Sequence, residues 1–514
     1  MKNKTRIFAA LYFTLVWTAL SAGRTYAAAC EQLARIDHPN TTITLAESVP
    51  AGALKLNTGA GAPGGPPANY SRLPAFCRVA GTIKPTPDSD IRFEVWLPAE
   101  NWNGKFVGVG NGVWAGAISY FEMAAPLMRG YATAATDDGH QGNPLDASFI
   151  AGHPEKLIDF GHRAPHEMTV VAKSAIKAFY GKDTQRSMFV SCSTGGRQGL
   201  MEAYRYPDDY DGISAMAPAN PMVLLMISSL WTGYATLKDQ SSMIPPPKFA
   251  VIHKAAVAAC DADDGVQDGI ISAPERCHFD PAALQCKGGD ASDCLMAPQV
   301  AALHAIYDGP KNPHTGEQIY PGFEPGSESM FPFQTAGPLP FGAAFTFMRD
   351  VVFKDPQWDF HSFDYDHDVA RARDGGNSAA LDVPPEGLDK FFAKGHKLLL
   401  SHGWADGLIP ARSSVNFYTG LTRRLGAKKS AAGTRLFMVP GMSHCAGGDG
   451  PFMFDAIATL DDWVASGHVP ERIVVSNPPG VPARTRPLCP YPQEAVYSGN
   501  GSTDEEQNFT CKAR

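Results

Sequence analysis

The sequence predicts an α/β fold: a parallel sheet flanked by helices, with a second body inserted into it. Three observations carry that prediction. Short apolar runs bounded by turn residues alternate with helix-period segments. The alternation stops in mid-chain and resumes later. A chain of 514 residues, 44% hydrophobic and 19% charged, is large enough for more than one buried core.

Each element follows from local pattern. MKNKTR, an apolar run from Ile7 to about Leu20, and the small residues SAGRTYAAA have the three-part layout of a secretory leader over residues 1–29, with cleavage expected near Ala27 to Ala29. The run carries Thr14, Thr18 and Ser21 and falls short of the roughly 20 apolar residues a membrane span needs, so export is expected rather than stable membrane insertion. A Gly/Pro-rich stretch runs from Gly59 to Asn69. After it, FEVWLPA at 93–99, KFVGVG at 105–110 and YATAAT at 131–136 read as strands of one sheet. HEMTVVAKSAIKAFY at 166–180 puts Met168, Val171, Ala172, Ala175 and Ile176 on one helical stripe, and SMFVS at 187–191 is a short buried strand. Strand, helix and strand in that order imply parallel pairing. From about Pro221 to Leu388 the chain turns to cysteines, prolines, acidic turns and, from Tyr320 through Phe392, aromatics; residues 221–388 are the expected insertion. Periodicity resumes with KLLLSH at 397–402 and TRLFMV at 434–439. Phe452 to Val464 has helical spacing, and the last strands are expected to return to the first body, made of residues 30–220 and 389–514.

Charge narrows the partners. Lys+Arg 44 against Asp+Glu 52 gives −8; losing Lys2, Lys4, Arg6 and Arg24 with the leader leaves 40 basic residues against 52 acidic, a net −12. That argues against nucleic acid and anionic membrane as partners. All ten cysteines follow the leader, and an even number in an exported chain suggests five disulfides in a secreted or periplasmic protein. None has the CxxC spacing of a zinc site.

The strongest chemical signal is FVSCSTGGRQGLM at 189–201, a buried strand, a small-residue turn and a helix. This is the setting of a nucleophile elbow, in which a sharp turn lifts a serine hydroxyl above the sheet and the helix aims amides and its positive end at the site. Ser193 is the nucleophile of that reading. Gly195 supplies the second glycine of G-x-S-x-G, while Ser191 replaces the first. Serine needs a histidine base held by a carboxylate. In α/β-hydrolases the chain order is serine, acid, histidine, with each partner after a later strand. Asp406 in LLLSHGWADGLIP and His444 in LFMVPGMSHCAGG stand in that order after the strands at 397 and 434. Alone, Asp406 reads equally as a turn aspartate and His444 as one of 15 histidines; together they support one another.

Cys192 immediately precedes Ser193 and Cys445 immediately follows His444. A bond between them would hold the two loops in near contact, because disulfide Cα atoms lie about 4.4–6.8 Å apart. Closing such a long loop is worth roughly 5 kcal/mol in the chain-entropy account, as an upper estimate.

Cys192-Ser193, Asp406 and His444-Cys445 resemble the CS-D-HC arrangement of the tannase and feruloyl esterase family, which also includes mono(2-hydroxyethyl) terephthalate hydrolase. The resemblance extends to WNGKFVGVGNG at 102–112, the insertion and the ten-cysteine layout. It implies an α/β-hydrolase core with a large inserted lid domain, and the pairs Cys30–Cys77, Cys192–Cys445, Cys260–Cys277, Cys286–Cys294 and Cys489–Cys511. It implies an oxyanion hole from the amide of Thr194 and one from the Gly-rich loop, where Gly112 is chosen over Gly110; Val113 stands where relatives often have another glycine.

A second constellation is CDADDGVQDGI at 260–270. It is no EF-hand: counting from Asp261, the sixth position is Val266 and the twelfth Ser272, where glycine and glutamate are required. Composition leaves a solvated acidic turn and a cation loop equally open. The resemblance implies a structural calcium site from the side chains of Asp261, Asp264 and Asp268 and the carbonyls of Val266 and Ile270, with no organic cofactor. For the acyl pocket, Trp358 stands in an aromatic-rich part of the insertion that reads equally as core, and His402 matches a pocket histidine of relatives. Arg349, Arg371 and Arg373 are candidates for a substrate carboxylate. The expected activity is hydrolysis of small aromatic esters, feruloyl or galloyl. The alternatives are a mono(2-hydroxyethyl) terephthalate hydrolase-like activity and a non-catalytic aromatic-ligand-binding protein.

Overall fold

The computed structural model describes residues 29–56 and 70–513. Residues 1–28 of the expected leader and the whole Gly/Pro-rich stretch at 59–69 lie outside the described residues. Nine strands form one sheet: β1 (Thr41–Val49), β2 (Phe76–Ile83), β3 (Ile91–Pro98), β4 (Lys105–Gly108), β5 (Ala132–Thr136), β6 (Arg186–Cys192), β7 (Gly212–Met216), β8 (Lys397–Gly403) and β9 (Thr434–Val439). Their spatial order is β1, β2, β3, β5, β4, β6, β7, β8, β9. Every strand the sequence marks is present. The sheet is mixed rather than wholly parallel: β1, β2, β3 and β5 pair antiparallel, and from β5 through β9 all pairing is parallel. The short link between β2 and β3 is the reason, because it allows a hairpin but no crossover.

Alternation along the strands sorts side chains onto two faces. Leu398, Leu400, Leu436 and Met438 join one buried cluster, with Met168, Val171 and Ile176 of the helix Ala164–Tyr180 and Leu200 of the helix Thr194–Arg205. Leu399, Phe437 and Val439, one residue out of phase, join another with Met123 and Leu127 of the helix Tyr120–Met128 and Leu460 and Trp463 of the helix Ala456–Ser466. The result is helix, sheet and helix in three layers. Gly181, at φ +70°, stops the helix Ala164–Tyr180 in a left-handed cap that suits glycine. The helix expected from Phe452 begins at Ala456, because the Asp455 side chain accepts the Ala458 amide at 2.9 Å and caps it.

Residues 217–396 lie between β7 and β8 and contribute helices and loops but no strand. Part of this insertion has its own core around Phe249, Ile252, Leu303 and Phe331. Another part shares a core with Trp114 and Phe160 of the sheet body through Val223, Ile227, Phe347 and Leu381. The last strands return to the first body, where Ile473, Val475 and Leu488 pack with Phe437 and Val439, but they form sheets of their own. β10 (Ile473–Ser476) pairs with β11 (Thr485–Leu488), and β12 (Gln493–Tyr497) with β13 (Phe509–Ala513), in two small sheets. Their backbone meets β9 through a bridge from Phe437 to Pro490, a residue without an amide hydrogen to extend a ladder, and through the Tyr491 amide, which donates to the Leu436 carbonyl at 2.8 Å.

Candidate active site

Parallel strands end on one edge of a sheet, so the loops after β6, β8 and β9 open side by side. Ser193 lies between β6 and the helix Thr194–Arg205 at φ +63°, ψ −128°. A non-glycine residue pays for that conformation, and it is held here by a Ser193 amide bond to the Met216 carbonyl at 2.9 Å and an Arg197 amide bond to the Ser193 carbonyl at 3.1 Å. The serine replacing the first elbow glycine has a partner of its own: Ser191 Oγ donates to Glu122 Oε2 at 2.6 Å. A Cβ on Gly195 would lie 2.0 Å from Ser191 Oγ, so the second glycine is required by contact.

His444 Nε2 lies 2.9 Å from Ser193 Oγ, and His444 Nδ1 lies 2.7 Å from Asp406 Oδ2. Asp406 Oδ1 accepts the amides of Leu408 at 2.8 Å and Ile409 at 2.9 Å. Asp406 is buried, which by itself pushes its carboxyl up. The charge of His444 and the hydrogen bonds from His402 and His444 outweigh that and hold it well below the ordinary carboxylate range. Asp406 therefore stays ionised, oriented so that Nδ1 carries the proton and Nε2 is left to accept from Ser193. The Cys192–Cys445 disulfide, with Cα atoms 6.0 Å apart, joins the two neighbouring loops, and the other four pairs are those the resemblance implies. Among the described residues no cysteine is free.

His402 is not in an acyl pocket. It is wholly buried behind Asp406, with Nε2 3.1 Å from Asp406 Oδ2 and 3.2 Å from the Ile409 carbonyl, and Nδ1 2.7 Å from Ser414 Oγ. Its position on β8 four residues before the acid turns it inward, where it orients the carboxylate. Trp358 is buried in the insertion, stacked on Phe353 at 4.8 Å between ring centroids, and Arg349 is paired with Asp350 at 2.7 Å. Arg371 lies over the Phe353 ring at 4.3 Å. Arg373 lines a cavity of about 590 Å³ with Tyr204, Tyr320, Ser413 and Phe417, and none of Ser193, Asp406 or His444 lines it.

Around Ser193 most amides are already engaged. Gly195 donates to the Asn111 carbonyl at 2.7 Å and Asn111 donates to Gln198 Oε1 at 3.0 Å, whereas the Thr194 and Gly112 amides have no partner among the described residues. Three residues the sequence did not mark hold this arrangement. Gln198 Nε2 donates to Asp138 Oδ2 at 2.5 Å, and Asn111 Nδ2 donates to the carbonyls of Ala117 and Thr136, both at 2.9 Å. Gln198 lies one turn beyond the elbow, a spacing that places it under the Gly-rich loop, but only that loop's fold identifies what it touches. Met330, from the insertion, accepts the His444 amide through Sδ at 3.4 Å, with no sequence signal to announce it.

In the acidic loop, Asp261 Oδ1 accepts the amides of Asp268 and Gly269 at 3.0 Å and Ile270 at 3.2 Å, and Asp264 Oδ1 accepts the Val266 amide at 2.8 Å. Asp268 Oδ2 pairs with Arg486, while Asp268 Oδ1 is buried without a partner. The carbonyls of Val266 and Ile270 accept no hydrogen bond among the described residues. These uncommitted oxygens are the kind a hard cation takes. The three aspartates do not, however, bring one oxygen each within 4.8 Å; among the described residues that holds for His166, Glu202 and Asp209.

The family model for tannase and feruloyl esterase matches residues 77–512. An uncharacterised esterase of Xanthomonas campestris pv. campestris is 38% identical over 542 residues, covering 96% of this chain and 92% of that protein. A probable feruloyl esterase B-2 of Aspergillus oryzae is 31% identical over 521 residues, covering 96% and 97%. The crystal structure of feruloyl esterase B from Aspergillus oryzae superposes with a TM-score of 0.86 at 30% identity, covering 95% of this chain and 100% of that one.

Proposed function

The chain belongs to the tannase and feruloyl esterase family and is a carboxylic ester hydrolase, and from that premise we propose that Ser193, His444 and Asp406 hydrolyse esters of aromatic carboxylic acids through an acyl-enzyme. The observation that carries the reading is the unbroken hydrogen-bonded line from Ser193 Oγ through His444 to Asp406, closed at its back by His402.

Ser193 Oγ attacks the ester carbonyl while His444 Nε2 takes its proton, and the oxygen that becomes negative is met by the amides of Thr194 and Gly112. His444 then protonates the departing alcohol. Water, deprotonated by the same nitrogen, releases the acid and restores Ser193. Asp406 keeps its charge throughout and stabilises the imidazolium. The insertion at residues 221–388 is read as the lid over this edge, since Met330 within it touches the His444 backbone. Calcium, when bound by Asp261, Asp264, Asp268 and the carbonyls of Val266 and Ile270, would supply charge neutralisation to the acidic loop, remote from the acyl chemistry. Five disulfides support maturation in an oxidising compartment, and among the described residues no helix is long and apolar enough to cross a membrane.

The test is turnover of methyl ferulate, methyl gallate and mono(2-hydroxyethyl) terephthalate, read as released acid, by wild type and Ser193→Ala. Wild type is expected to prefer a feruloyl or galloyl ester, and Ser193→Ala to lose turnover with its circular dichroism unchanged. Undiminished hydrolysis by the variant refutes the assignment of the nucleophile, and preference for the terephthalate monoester refutes the substrate class.

A further inference from the structure

We propose that His166, Glu202 and Asp209 form a site for one divalent transition-metal ion of the zinc type, separate from Ser193. His166 stands in the first turn of the helix Ala164–Tyr180, Glu202 near the end of the helix Thr194–Arg205, and Asp209 in the loop leading to β7. Glu202 is thus more than two turns along its helix from Ser193, about 13 Å by helical rise.

A ring nitrogen of His166 and one carboxylate oxygen from each of Glu202 and Asp209 lie within 4.8 Å of one another. His166 Nδ1 is 2.6 Å from Asp209 Oδ2. Glu202 is 1% exposed, and its Oε2 is buried with no hydrogen-bond partner. Two carboxyl groups facing one another out of water need a proton or a cation between them, or one stays neutral at a cost. Lys173 Nζ donates to the Asp209 backbone carbonyl.

The donor set selects the ion. An imidazole with two carboxylates suits zinc and its neighbours; calcium and magnesium take oxygen alone, and no sulfur is present. Donors placed tetrahedrally about 2.0–2.2 Å from zinc lie about 3.3–3.6 Å apart, so the ion would part His166 from Asp209 and draw in the more distant donor. Tyr206 stacks on the His166 ring at 3.8 Å between centroids and 5° between planes, which fixes the imidazole as outer contacts of a metal ligand do. The His166 side chain is 27% exposed, so an ion and a water ligand can enter from the surface.

The full chain, stripped with a chelator and kept in excess calcium to fill the acidic loop, would be titrated with zinc chloride by calorimetry and with cobalt chloride by visible absorption. One zinc per chain is expected. His166→Ala and Glu202→Gln are each expected to weaken it by at least about tenfold, the range an outer contact alone can produce, and to lose the cobalt band. His166 is partly exposed, so its alanine variant decides the matter even where Glu202→Gln fails to fold. Wild type without stoichiometric zinc overturns the proposal and leaves a carboxyl pair that shares only a proton. Equal affinity in His166→Ala overturns it too, by placing the ion elsewhere.

Discussion

Gln198→Met tests how the oxyanion loop is held. The substitution keeps the length of the side chain and deletes its hydrogen bonds: the Asn111 amide loses its acceptor at 3.0 Å, Asp138 Oδ2 its donor at 2.5 Å and Asn111 Oδ1 a longer one at 3.4 Å. Both residues are buried, and an unpaired buried polar group costs roughly 1–3 kcal/mol, so stability should fall by about 2–6 kcal/mol. The lower half of that range is expected, because burial already raises the Asp138 carboxyl well above its ordinary value and protonation relieves it. Asn111 is the residue before Gly112, and its carbonyl accepts the Gly195 amide, so its release loosens the loop against the elbow. Losing one oxyanion donor typically costs 10²–10³ in kcat, and kcat is expected to fall by about a hundredfold with little change in KM. The assay is steady-state hydrolysis of the best ester, normalised to the folded fraction from urea unfolding followed by circular dichroism. A folded variant with kcat within about twofold of wild type would refute the reasoning and remove the Gly-rich loop from the oxyanion hole.

Glu122 is half-buried beneath the elbow, and the loss of water around its carboxyl, partly offset by the Ser191 hydrogen bond, pushes it up to about 7 from 4.5. Folding therefore favours the protonated form; this contribution is complete below 4.5 and lost as pH rises through 7. Glu122→Gln should nearly match wild type at about pH 5 and exceed it by up to about 3 kcal/mol at about pH 8 in urea unfolding, and a difference independent of pH would contradict this. Replacing Cys192 and Cys445 by serine opens a loop whose ends are 253 residues apart; unfolding should show a loss of up to about 5 kcal/mol, with activity per folded molecule also reduced. Removing calcium with a chelator should lower the thermal midpoint, and the unfolding free energy by roughly 2.7 kcal/mol relative to a hundredfold excess over Kd, while leaving kcat per folded molecule unchanged, and Asp268→Asn should abolish the shift.

The elbow was legible because its signal is local: a strand, a serine in a strained turn and a helix are adjacent in sequence, and only small residues fit there. Asp406 and His444 were legible because parallel strands deliver their following loops to one edge, so chain order stands in for position. Pairing Cys192 with Cys445 was readable for the same reason. The orientation of His402 was not legible, since a histidine four residues before an acid on a strand looks the same whether it faces ligand or, as here, hydrogen-bonds Asp406 in the core. Val113 left the oxyanion loop ambiguous, and the contacts of Asn111, Gln198 and Asp138 came into view only with the folded backbone.

Sequence alone determined the α/β class and the three residues set at strand ends, because periodicity and turn chemistry act over a few residues, whereas the five cysteine pairs came only from the family resemblance. Tertiary structure decided the antiparallel half of the sheet, the separate small sheets at the C-terminus, the inward turn of His402, and the meeting of His166 with Glu202 and Asp209. Each of these depends on which distant surfaces are buried against one another, and no local pattern records that.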